Sequence, residues 1–195
     1  MGYSTASSIN NVMSILKSNG PAHLNPLFKL GLTNKEIRAV QNYKSSRAYL
    51  INDALRGNRF NSLPEDIQDE IKTISSGINK FPKHQGTVYR NVSFDDMISM
   101  YGNDSAIEFI EQHQKEKTVT YPSFTSSSKN KDGYPLLSEH QANIEINSKN
   151  GRDITYATGV KGEEEVLFDR NSSFKVIDSH WNDDYTRLKI KMKEL

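Results

Sequence analysis

The stretch Phe81-Pro82-Lys83-His84-Gln85-Gly86-Thr87-Val88-Tyr89-Arg90-Asn91-Val92 is where the chain changes its hydrophobic period. Before it, Ile67, Ile71, Ile74 and Ile78 recur at spacings of four, three and four, the stripe of an amphipathic helix that begins near Pro64. Phe81-Pro82 ends that helix, because proline brings no N–H and its ring clashes with the preceding turn. After it, Thr87 to Val92 reads as a strand, rich in β-branched and aromatic residues. The switch predicts a mainly helical part over residues 1–82 and a mainly strand-forming part over 83–195.

Upstream, Ser7 or Ser8 can cap a helix carrying Ile9, Val12, Met13 and Leu16, which Gly20-Pro21 would end. Thr33-Asn34-Lys35-Glu36 has the form of a capping box and predicts a second helix with Ile37 and Val40 on its apolar face. The pattern weakens at Ser45-Ser46, then Tyr49, Leu50, Ala54 and Leu55 continue to Gly57. Downstream, Asp95–Tyr101 and Ser105–Gln114 read as short helices broken at Gly102. Thr118–Ser128 reads as extended, Glu165–Phe168 and Ser173–Ile177 as strands. Ala142, Ile144 and Ile146 alternate as strands do, and so do Leu188, Ile190 and Met192. Lys129–Ser138 and Asn147–Gly162 read as loops.

Composition excludes several classes. The chain has 195 residues and a net charge of +1, so it lacks the basic excess that nucleic acids and acidic membranes select. It has no cysteine, which removes disulfides, thiolate metal sites and cysteine nucleophiles. Its five histidines, at 23, 84, 113, 140 and 180, form no pair at metal-ligand spacing, and no metal is expected. No apolar run is long enough to span a bilayer, and Met1–Ala6 shows no signal-peptide pattern. No Gly-rich phosphate loop and no Gly-x-Ser-x-Gly elbow occurs. The length suits one domain, and the opening Met1-Gly2 is compatible with an excised one.

Three segments carry candidate chemistry. Arg90 sits in an otherwise apolar strand, where an arginine either snorkels to water or binds an anion with its planar fork. Ser123-Phe124-Thr125-Ser126-Ser127-Ser128 is a hydroxyl-rich strand end, either a passage into a loop or a set of small donors that orient a charged neighbour. Gly162-Glu163-Glu164-Glu165-Val166-Leu167-Phe168 places Glu163 and Glu165 on one face of a strand, at an electrostatic cost that paired catalytic acids share.

In order, these are an arginine in a strand, an aromatic-x-Ser-x-Ser strand, and Glu-x-Glu at a strand start, separated by 36 residues (90 to 126) and 37 residues (126 to 163). The arrangement resembles the arginine-directed mono-ADP-ribosyltransferase toxins, and its last segment is similar to the SpvB-like actin-modifying effectors. The helix from Tyr43 through Tyr49-Leu50-Ile51-Asn52-Asp53-Ala54-Leu55-Arg56 is similar to the family's tyrosine-containing helix. Departures are Asn91 where many relatives have Gly, Ser127 for Thr, and a Tyr43–Tyr49 spacing of six, one longer than in the iota-type components.

The resemblance implies an α+β fold, with N-terminal helices packed on a two-sheet antiparallel β-sandwich and a cleft for NAD, here a substrate. It implies that residues 1–195 form one catalytic domain. Arg90 would bind a phosphate of NAD, with Asn91 beside the nicotinamide amide. Ser126 would fix Glu165 and the nicotinamide ribose, with Ser128 nearby. Glu165 would stabilise the oxocarbenium that forms as nicotinamide leaves. Glu163 would orient the acceptor guanidinium and take its proton. Tyr156 and Lys161 would contact the target protein, while Tyr134 and Tyr49 would line the cofactor pocket. The implied activity is transfer of ADP-ribose to an arginine of a target protein. Actin is favoured and a bacterial cytoskeletal protein such as FtsZ is the runner-up. The chain would be a secreted or injected effector acting in the target cell's cytosol, with an immunity protein as a further partner. An NAD glycohydrolase without acceptor, and a non-catalytic module of the same fold, are the alternatives. The poly-ADP-ribose polymerases usually carry His where this chain has Arg90.

Overall fold

The computed structural model of the chain describes residues 26–131, 138–155, 157 and 164–195. The helix expected over Ser7–Leu16 lies outside them. A short 3-10 turn (Pro26–Leu30) precedes the first described α-helix, α1 (Asn34–Asn42), which is followed by a π turn (Tyr43–Arg47) and α2 (Ala48–Arg56). The capping box forms: Thr33 Oγ accepts from Glu36 N at 3.3 Å, and Glu36 Oε2 accepts from Thr33 N at 2.7 Å. The π turn falls on the weak stretch at Ser45-Ser46, where Ala48 N donates to Tyr43 O, five residues back. α3 (Glu65–Ile78) buries Ile71, Ile74 and Ile78 completely. It packs on α1 so closely at Gly77 that an added Cβ would lie 3.0 Å from Val40.

The second part contains β1 (Gly86–Ser93), α4 (Phe94–Tyr101), α5 (Asn103–Gln112), β2 (Thr118–Tyr121), β3 (Thr125–Ser128), β4 (Gln141–Ser148), β5 (Arg152–Asp153), β6 (Glu165–Phe168), β7 (Ser172–Trp181) and β8 (Arg187–Glu194). The expected extended segment over 118–128 is two strands with different partners: β2 pairs β7, while β3 pairs β6 and β1. Pro122, which cannot donate to a ladder, marks the break.

The expected pair of antiparallel sheets is a correction. The eight strands form one hydrogen-bonded sheet in the order β2-β7-β8-β4-β1-β3-β6-β5, and it is mixed, because β4 and β8 run parallel. A single residue pair, Tyr89 with Ser128, joins the two halves between β1 and β3. The sheet is nonetheless strongly folded. β6 and β7 stand five places apart in the ladder, about 24 Å in a flat sheet. The three residues Asp169–Asn171 that connect them reach only about 14 Å. Phe168 and Phe174 meet edge to face at 5.1 Å.

One core lies inside the fold of the sheet, with Val88, Ile144, Ile146, Val166, Phe168, Phe174, Val176, Ile190 and Met192. A second lies under the helices, where Ile37, Val40, Ile51, Leu55, Ile71 and Ile74 meet Phe124, Ile154 and Leu167. β6 contributes to both, which accounts for its uninterrupted Val-Leu-Phe run. Its alternation sends Leu167, and with it Glu165, to the helical side.

Two buried titratable groups tie stability to acid pH. His113, fully buried, donates from Nδ1 to Phe109 O at 2.7 Å, so Nε2 accepts the Tyr121 hydroxyl at 2.6 Å and the ring is neutral. Burial pushes its pKa down from 6.5 to about 4. The unfolded chain protonates it first, so its contribution is present above pH 6.5 and falls by ~1.4 kcal/mol per pH unit down to its native pKa. Glu36 is also buried. Burial alone would raise its pKa, but hydrogen bonds from Lys80 (2.7 Å), Ser76 (2.6 Å) and Thr33 bring it from 4.5 to about 2. That contribution is present above pH 4.5 and lost as pH falls towards 2. Chemical unfolding across this range is therefore expected to lose stability in two stages. His113→Gln should remove the upper one. Glu36→Gln should cost about 1–3 kcal/mol at pH 7, a gap that closes below pH 4.5.

Candidate active site

Arg90 on β1, Ser126 on β3 and Glu165 at the head of β6 come from three consecutive strands of the sheet. Ser128 stands opposite Glu165 and Ser126 opposite Leu167, so Ser126 and Glu165 are diagonal neighbours on one face. Ser126 Oγ donates to Glu165 Oε1 at 2.7 Å. β1 and β3 share only one residue pair, and Arg90 reaches across to donate from Nη1 to Ser126 O at 2.8 Å. The half-buried guanidinium pairs with no carboxylate among the described residues, and burial lowers its pKa. Its remaining N–H donors form a fork suited to an anion.

The helical layer completes the cluster. Lys44, in the π turn, approaches Glu165 Oε2 to 2.6 Å, with side-chain exposures of 7% and 16%. Tyr43 beside it is buried, stacks edge to face on Phe124 at 5.1 Å and accepts from Asn52 Nδ2 at 2.9 Å. Burial raises the Tyr43 hydroxyl to about 12, and Glu165, Arg90 and Arg56 are close enough to act on it electrostatically. The Oδ1 atom of Asn52 is buried with no hydrogen-bond partner among the described residues. Arg56, at the end of α2, is close enough to influence Arg90 as well.

The other candidates make their contacts outside this hydrogen-bonded cluster or lie outside the described residues. Tyr49 is 57% exposed and its hydroxyl faces Met100 Sδ at 3.7 Å. Asn91 accepts from Asn143 Nδ2 at 2.8 Å, on the β4 side of β1. Ser128 Oγ accepts from Asn130 N at 3.0 Å, at the start of the loop that follows β3. Glu163, Tyr134, Tyr156 and Lys161 lie outside the described residues. The approach to Glu163 is marked by Lys129 N, which donates to Glu164 O at 2.8 Å and extends the β3–β6 contact.

The sequence reading missed Lys44, Asn52 and Arg56 as site residues. Asn52 and Arg56 stand in the tyrosine-containing helix, and Lys44 borders the stretch where the helical pattern weakens.

The profile of the ADP-ribosyltransferase exoenzyme family matches residues 8–195. The chain belongs to this family. It is 28% identical over 150 residues to the NAD(+)–protein-arginine ADP-ribosyltransferase Tre1 of Serratia proteamaculans, an alignment covering 75% of this chain and 29% of that protein. It is 24% identical over 174 residues to the Vis toxin, an ADP-ribosyltransferase of Vibrio splendidus, covering 82% and 65% respectively. The chain thus spans less than two thirds of either curated relative. The structure of an ADP-ribosyltransferase from Clostridium botulinum superposes with a TM-score of 0.66 at 22% identity, covering 86% of this chain and 90% of that one. This last likeness is one of fold. Among the described residues no helix is long and apolar enough to cross a membrane, and no three His, Asp or Glu cluster as a metal site would need.

The two tyrosines of the helix should separate by mutation. Tyr43→Phe leaves the Asn52 amide without its acceptor, and urea unfolding is expected to show a loss of about 1–2 kcal/mol. Tyr49→Phe, at an exposed site, should stay within about 0.5 kcal/mol of wild type.

Proposed function

We propose that this chain cleaves NAD at the nicotinamide–ribose bond and transfers ADP-ribose to an arginine side chain of a target protein. The observation that carries the reading is the connected row Arg90–Ser126–Glu165, an anion-binding fork, a hydroxyl and a carboxylate on three consecutive strands. NAD fits what these residues offer. Arg90 has donors left for a diphosphate oxygen, and the unpartnered Asn52 oxygen can accept from a ligand hydroxyl or amino group. Glu165, steadied by Ser126, opposes the positive charge that grows on the ribose as neutral nicotinamide leaves. In this reading Glu163 holds the acceptor guanidinium and takes the proton released when its nitrogen bonds to the ribose carbon. Arginine is a poor nucleophile while charged, so a carboxylate beside it is chemically apt. The name of the Serratia relative points to the same acceptor.

The finer assignments belong to the same proposal. Residues 1–195 act as one catalytic domain, helical to 82 and strand-forming from 83. Asn91, Ser128, Tyr49 and Tyr134 border the NAD site, and Tyr156 and Lys161 meet the target. The likeness of Gly162–Phe168 to the SpvB-like effectors favours an actin-like acceptor, with a bacterial FtsZ-like protein as the other candidate. The enzyme acts as a secreted or injected toxin in the target cell's cytosol, and an immunity protein would protect a producing cell.

Labelled NAD incubated with eukaryotic and bacterial lysates tests this. Glu165→Gln is expected to abolish both protein labelling and NAD hydrolysis without unfolding the chain. Glu163→Gln should lose labelling but retain measurable hydrolysis. Full transferase activity in either variant would remove the role assignment. Strong release of free ADP-ribose with no labelled protein from wild type would favour a glycohydrolase.

A further inference from the structure

We propose that Lys44 is the positioning residue for Glu165, an inference that rests on the function proposed above. Ser126 alone holds one oxygen of the carboxylate, at 2.7 Å from Oε1, and a single contact leaves the terminal torsion of a glutamate free to swing. Lys44 takes the other, at 2.6 Å from Oε2, and two contacts from opposite layers fix both the plane and the reach of the group. Ser126 comes from the sheet and Lys44 from the helices, so the carboxylate is aimed by the packing of one layer on the other.

Lys44 is itself well placed to do this. Its side chain is 7% exposed, so its charge has little water and is met by Glu165. Its backbone lies in the π turn, next to Tyr43, which Phe124 and Asn52 hold in place. A π turn widens the helix locally, and such turns recur where side chains must be aimed at a site. The extra residue between Tyr43 and Tyr49 is thus accommodated where the lysine leaves the helix. A carboxylate has about four acceptor positions, so Glu165 can keep both contacts and still accept a ribose hydroxyl.

The test is steady-state NAD hydrolysis by the full chain, with Lys44→Ala compared with wild type and Glu165→Gln. Lys44→Ala should lower kcat by about tenfold or more, while KM for NAD stays within about threefold, since aim rather than binding is lost. Added propylammonium, which refills the cavity and restores a cation, should recover kcat in a saturable way. A kcat within about twofold of wild type would overturn the proposal. So would a loss that appears in KM, or a loss of kcat that amines do not reverse. If Lys44→Ala fails to fold, Lys44→Gln carries the kcat and KM comparison with the same criteria. Wild type that does not cleave NAD overturns the underlying reading, and this inference with it. Wild type active and Glu165→Gln inactive leaves that reading standing, and Lys44 is then judged alone.

Discussion

The site depends on one carboxylate held between two layers. Glu165 opens β6, the strand that is buried on both faces, with Leu167 under the helices and Val166 and Phe168 inside the folded sheet. That double burial makes the position of β6 stiff, and stiffness is what an electrostatic catalyst requires of its charges. Ser126 and Lys44 then aim the side chain, and Arg90 is tied into the same unit through the Ser126 carbonyl. Removing any of these contacts acts on the others, because each partner is shared.

The folding of the sheet has a chemical consequence. β1 and β3 touch through one residue pair, and the guanidinium of Arg90 crosses at this seam. On one side of the seam the fully buried His113 and the half-buried Tyr121 form a hydrogen-bonded pair near Arg90. On the other lie Tyr43 and Arg56. The cation is therefore set near the boundary between the two cores, at the seam where β1 and β3 share a single residue pair.

Local features of the fold were legible because they are encoded locally. The capping box at Thr33, the isoleucine stripe of α3 and the alternation of β4 and β8 each rest on neighbours within a few residues. The Arg90, Ser126 and Glu165 assignments were reached through motif order, and the structure brings those three together. Pairing across the sheet was not legible. The parallel β4–β8 pair and the single ladder are set by contacts far apart in the chain, and β5, two residues long, has no periodicity to read. Lys44 escaped notice for a related reason: a π turn breaks the regular spacing on which helical faces are recognised. Tyr49 shows the converse, since correct helical register did not bring it to the cluster that Tyr43 joins.

The central claim is the chemistry of the acceptor, and mass-spectrometric mapping of modified peptides from a lysate treated with the chain and NAD tests it most directly. The account predicts ADP-ribose on arginine side chains, absent when Glu165→Gln replaces wild type. Modification confined to another residue type, or the same arginine modification with the variant, would contradict it.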